Sequence, residues 1–148
     1  MDYFEAAKKV FDLPRPEVFM DTPDHCEECE EVEEKAQGAN PDTLTLDQAG
    51  DGWAALHNFL NDEGFLYYFP AFIRLCIETD MDDGFLPNFC FAVTYEGAAN
   101  SRLNACSPAQ RKLVHDFMVW YRDTYPEITA QGVCEDDLDN AIKIWSGG

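Results

Sequence analysis

The sequence predicts an all-α protein, a single-domain irregular bundle of six or seven helices spanning residues 1–148. Three observations predict it. Apolar residues recur at steps of three and four along most of the chain, no segment gives a long clean strand alternation, and cap residues punctuate the periodic stretches. At 148 residues the chain is the size of one domain. Its mass implies an accessible surface of about 7,700 Å² when folded, small enough to leave a proper core without metal or disulfide staples.

The first helix is predicted from Asp2 to Phe11, with Tyr3, Phe4, Ala7, Val10 and Phe11 on one side and Pro14 and Pro16 ending it. A second helix is predicted with Thr22 as N-cap and Pro23 at its first position, running to Gln37 and stopped by Gly38. Its only apolar stripe is Cys26, Cys29, Val32 and Ala36. Residues 40–52 read as a loop, with a short helix started by the capping box Thr45 to Gln48. Trp53 to Leu60 reads as helix and breaks at Asn61 to Gly64. Phe65 to Ile77 is apolar on nearly every side, the pattern of a central helix, with Pro70 kinking or starting it. Phe85 to Tyr95 places Phe85, Phe89, Ala92 and Val93 at helical spacing, although Phe91, Val93 and Tyr95 also suit a strand; helix is preferred. Ser107 and Pro108 open a helix through Tyr125, striped by Leu113, Val114, Phe117, Met118 and Tyr121 and closed by Pro126. The last helix begins near Glu135, with Leu138, Ala141, Ile142 and Trp145 inward.

Charge bounds the function. Twenty-nine Asp and Glu against ten Lys and Arg give a net charge of −19. Direct binding to nucleic acid is excluded as an expectation, because it depends on Lys and Arg releasing phosphate counterions, and an anionic membrane is disfavoured likewise. A 46% hydrophobic content also separates the chain from disordered acidic sequences. The longest apolar run, Phe65 to Ile77, is too short to span a bilayer. Met1 to Phe11 lacks a signal-peptide pattern, so the expectation is a cytoplasmic protein whose six cysteines are thiols.

The acidity is concentrated. Eight carboxylates fall within the 14 residues from Asp21 to Glu34, and His25, Cys26 and Cys29 lie among them. Cys26 and Cys29 share one helix face, close enough to hold a metal such as zinc or to form a redox pair. A structural zinc needs further ligands, however, and Cys76, Cys90, Cys106 and Cys134 form no second close pair, so His57 or His115 would have to arrive by tertiary contact. On one continuous helix His25 and Cys26 point about 100° apart, an awkward arrangement for a shared ion. A thioredoxin-like role is disfavoured because Asp24, Glu27, Glu28, Glu30 and Glu31 should raise a cysteine pKa. The ordinary reading of both cysteines is as small apolar residues in the packing stripe.

No nucleophile elbow, zinc-protease helix, phosphate loop or dinucleotide fingerprint is present, which points away from an enzyme. Asp80 to Gly84 has one residue too few for a calcium loop, and Phe91 stands where the closing Glu belongs. His57 reads as a satisfied core or boundary residue, His115 as exposed, and Arg74 as a partner for Glu78.

The block Pro23-Asp24-His25-Cys26-Glu27-Glu28-Cys29, then Asp42-Thr43-Leu44-Thr45-Leu46, Gly52-Trp53 and Glu63-Gly64-Phe65-Leu66-Tyr67-Tyr68-Phe69-Pro70-Ala71, resembles a family of small acidic bacterial proteins known only as a domain of unknown function. The likeness covers roughly residues 15–120. It implies a bacterial, cytoplasmic setting and brings no activity or catalytic residues.

The functional expectation is therefore a non-enzymatic acidic binding protein, an immunity or inhibitor protein that covers a basic toxin or nucleic-acid-binding protein, with nucleic-acid mimicry as a variant. The contact residues expected are Asp24, Glu27, Glu28, Glu30, Glu31, Glu34, Glu135, Asp136 and Asp137. The alternative is a metal-binding or thiol-based protein centred on Cys26 and Cys29, with zinc as the ion.

Overall fold

The computed structural model describes residues 2–50, 55–79, 85–129 and 135–147, and every regular element among them is helical. In order these are α1 (Tyr3–Val10), α2 (Glu27–Gln37), α3 (Leu46–Ala49), α4 (Leu56–Phe59), α5 (Asp62–Glu78), α6 (Leu86–Thr94), α7 (Ser101–Ala105), α8 (Pro108–Thr124), α9 (Pro126–Thr129) and α10 (Glu135–Gly147), with a 3₁₀ turn at Gly97–Ala99. Six of the ten, α1, α2, α5, α6, α8 and α10, have eight residues or more and build the expected all-α bundle; short pieces connect them.

Helix α5 is the axis. Phe65, Tyr68, Phe69, Phe72 and Ile73 are almost wholly buried along it, because a stretch apolar on all sides is stable only when other elements surround it. Pro70 sits inside the helix, where it removes one backbone hydrogen bond and is itself buried. Helix α1 packs against α5 and α8, and α10 against α8 and α6. The α10 anchor is Trp145, whose indole N–H donates to the Val93 carbonyl at 2.9 Å while its ring meets Phe69 edge-on. Total accessible surface is 7746 Å², the value expected for a folded monomer of this mass.

Local signals account for most helix ends. Thr45 and Gln48 form the predicted capping box of α3, and Ser107 and Gln110 form one at α8. Several boundaries differ from expectation, and α4 covers only Leu56–Phe59 of the expected Trp53 to Leu60, Ala55 being extended. Helix α2 starts at Glu27 rather than Pro23, since Thr22 to His25 closes a turn, His25 N–H donating to the Thr22 carbonyl at 3.2 Å. Pro followed by Asp serves a turn as well as a helix start. Helix α5 starts at Asp62, Asn61 capping the Gly64 N–H at 2.8 Å, so the expected break at Asn61 to Gly64 is instead the first turn. Pro126 opens α9 as well as following α8. Trp53 and the Asp80 to Gly84 segment lie outside the described residues.

The C-terminal end of α2 is clamped. The Arg15 guanidinium donates to the carbonyls of Ala36, Gln37 and Ala39, and the buried Tyr68 hydroxyl lies 2.5 and 2.7 Å from those of Ala36 and Ala39. Helix carbonyls left without intrahelical partners thereby find donors. Glu33 turns the other way, accepting from the Phe19 and Met20 N–H groups at 2.8 and 3.1 Å. These bonds tie α2 to residues 15–20 and to the central helix.

Candidate functional site

The N-terminal end of α2 carries the cysteine motif. Cys26 is its N-cap, in extended backbone, with Sγ accepting from the Cys29 N–H at 3.4 Å. Cys29 lies one turn on and is buried in the stripe with Val32 and Ala36, whereas Cys26 and His25 are exposed. The packing reading thus holds for Cys29 and fails for Cys26. The two sulfurs are 3.3 Å apart.

Because the helix begins at Glu27, His25 stands in the preceding turn and swings onto the same side as the thiols. Ligand atoms of His25, Cys26 and Cys29 all lie within 4.8 Å of one another. The expected divergence of His25 and Cys26 rested on a helix that does not extend that far. The expectation of a raised thiol pKa is likewise corrected at Cys26, whose pKa is lowered to about 7 by the His25 imidazole, the Cys29 N–H and the Cys29 thiol. Short-range donors outweigh the diffuse field of exposed carboxylates, which water screens. Cys29 is shifted up, first by the neighbouring Cys26 sulfur and then by burial.

Acids surround this centre. Asp24, Glu27, Glu30, Glu31 and Glu34 are exposed and Glu28 is half-buried. Among the described residues, no Lys or Arg forms an ion pair with any of them. Asp137 on α10 is exposed too; Glu135 and Asp136 open that helix, with side chains outside the description. The α10 acids sit on an element packed against α6 and α8, while α2 packs against α4. Arg74 pairs with Glu78 at 3.0 Å as expected, and also donates to the Pro41 and Leu44 carbonyls. His115 is half-buried beside Asp116 rather than exposed.

Sequence reasoning missed an open groove of about 690 Å³ lined by His57, Asn58, Pro87, Phe91, Tyr95 and Arg102, among others. Phe91 and Tyr95 are each 55% exposed there, one helical turn apart with rings 5.8 Å between centroids. Arg102 donates to the His57 carbonyl at 3.1 Å and lies 4.7 Å from the centre of the Phe65 ring. His57 is buried, but not satisfied as expected, for neither its Nδ1 nor Arg102 Nε has a hydrogen-bond partner among the described residues. The one signal available was the pair Phe91 and Tyr95 at i, i+4, both of which also suit a strand.

Among the described residues no helix is long and apolar enough to cross a membrane. No family model matches the chain, and neither a curated protein nor a solved structure shows significant similarity to it.

Proposed function

We propose that this protein is an acidic binding protein that masks a basic protein surface, in the manner of a bacterial immunity or inhibitor protein. One observation carries the reading. Glu27, Glu30, Glu31 and Glu34 stand at i, i+3, i+4 and i+7 on α2, exposed, without described ion-pair partners, on a helix whose other side buries Cys29, Val32 and Ala36. Like charges at these spacings destabilise a helix by roughly 0.2–0.5 kcal/mol per pair. Glu27 and Glu30 gain from the helix dipole in the first turn, but Glu31 and Glu34 lie beyond it, so neither the dipole nor solubility, which requires acids in quantity but not in a row, accounts for the whole alignment. A cationic partner converts that repulsion into attraction and accelerates encounter.

The chemistry of the partner follows from the same stripe. An 11-residue helix is roughly 16 Å long and displays its charges as a line, the form in which a nucleic-acid-binding protein receives phosphates. A basic nuclease or other nucleic-acid-binding toxin suits this surface, with Asp24 and Glu28 at the near end and Glu135, Asp136 and Asp137 as a second acidic element.

The test is capture from extract of the producing cells with wild-type protein and with the variant Glu27→Lys, Glu30→Lys, Glu31→Lys, Glu34→Lys, followed by identification of retained chains. The expected result is one basic protein held by wild type, released by salt and lost by the variant. Equal retention by both proteins sinks the reading, and so does retention of acidic or neutral chains only.

A further inference from the structure

We propose that His25, Cys26 and Cys29 bind a thiophilic divalent cation of the zinc class through the imidazole nitrogen and two thiolate sulfurs. The site goes beyond the docking face described above and does not depend on it. Zinc bonds of about 2.3 Å to sulfur and about 2.0–2.1 Å to nitrogen, at tetrahedral angles, place ligand atoms roughly 3.5–3.8 Å apart. Here the sulfurs are 3.3 Å apart and all three donors fall within 4.8 Å of one another. Rotation about side-chain bonds closes the difference, and the backbone is already arranged: a turn delivers His25, the N-cap delivers Cys26, and the first helical turn delivers Cys29.

The donor set selects the ion. Two thiolates balance the charge of a divalent cation, and sulfur with imidazole favours zinc over magnesium or calcium, which take oxygen. On binding, the two thiol protons leave to water, the metal gains two sulfur bonds and one nitrogen bond, and no electrons are transferred. The fourth tetrahedral position is left to a water molecule. The exposed His25 and Cys26 form the entrance, with Cys29 the inner ligand. Asp24, Glu27 and Glu28 flank it, in a chain of net charge −19, so the local field concentrates cations at the entrance.

A Cys26–Cys29 disulfide is the competing chemistry of the same pair. It requires the sulfurs to close to about 2.05 Å and uses as bonding atoms only two of the three converging donors. The flanking carboxylates also repel anionic thiol–disulfide reagents.

The experiment is a cobalt(II) titration of the full-length chain, reduced and stripped of metal under argon, followed by competition with zinc. The expected result is a sulfur-to-cobalt charge-transfer band that saturates at one ion per chain and disappears as zinc is added. His25→Ala, which lies outside every helix, and Cys26→Ser should each weaken zinc binding by more than about tenfold, because loss even of a group supporting a ligand typically costs that much. Glu30→Gln with Glu31→Gln should leave the band unchanged and lower affinity far less than loss of a ligand does, which separates ligation from ion binding by an acidic surface. Circular dichroism verifies that each variant retains wild-type helicity. A titration without the charge-transfer band overturns the proposal, as does a band that survives Cys26→Ser or binding that falls only with the two glutamates. Loss of cobalt binding in His25→Ala with the docking partner still captured would separate this site from the charged face.

Discussion

His57 shows how burial, more than any partner, sets a titration. Its imidazole is 2% exposed, meets Phe85 edge-on and has Arg102 beside it, and desolvation followed by that cation lowers its pKa to about 4. The unfolded chain takes up this proton near pH 6.5, well before the folded one. Since the unfolded state binds more protons between those values, the contribution of His57 to stability is full above about pH 6.5 and is lost towards pH 4, about 3 kcal/mol in all. Urea unfolding of wild type and His57→Phe at about pH 7.5 and about pH 5 checks this, the variant losing less stability over the interval. Equal losses would show that carboxylates account for the whole acid sensitivity. Cys26 illustrates the opposite balance: it stands in water, and its neighbours rather than its burial decide its proton.

At the scale of the element, Gly64 is the residue on which α5 turns. A Cβ placed there would lie 2.8 Å from the Phe19 carbonyl oxygen, which also accepts the Asn61 N–H at 2.8 Å. The close approach of backbone to helix therefore admits glycine alone. Gly64→Ala should cost about 1–3 kcal/mol through overpacking, despite alanine's better helix propensity, and a shifted urea midpoint at unchanged slope measures it. A stabilised Gly64→Ala variant would mean that the chain at Phe19 yields freely. Gly64 also explains why the sequence misled here, since glycine after Asn and two acids reads as a break until the cap it enables is seen. Helices α1 and α8 were legible because their stripes and flanking prolines agree, and α10 because its apolar stripe is regular. The start of α2 was not, because Thr-Pro-Asp satisfies a turn and a helix cap equally. The convergence of His25 with the thiols depends on that choice, so it was hidden along with it. The groove at His57 and Arg102 was beyond sequence reasoning for another reason: its walls come from α4, α6 and α7, and only packing brings them together.

For the whole molecule the dominant quantity is charge. With −19 on a chain of 148 residues, folding gathers carboxylates that the extended chain keeps apart. Among the described residues the ion pairs are few and mostly between neighbours on one helix, such as Lys112 with Asp116 and Arg74 with Glu78, and exposed pairs of this kind contribute about 1 kcal/mol or less. Added sodium chloride should thus stabilise the protein, by screening repulsion more than attraction. Thermal unfolding at about 0.02 M and about 0.5 M salt should show a higher midpoint at the latter, where the Debye length drops to a few ångströms. A lower midpoint in salt would mean that attractive pairs dominate.

The clamp on α2 has a further consequence. Arg15, Tyr68 and Glu33 secure the stem of the helix to the rest of the fold, while its displayed carboxylates, His25 and Cys26 make none of those anchoring bonds. The polar fastenings gather towards the C-terminal end of the helix, the buried stripe of Cys29, Val32 and Ala36 seats its length, and the charged face takes part in neither. Exposed residues so placed can be exchanged one by one while the base stays seated, leaving that face free to vary through evolution without renegotiating the scaffold that holds it.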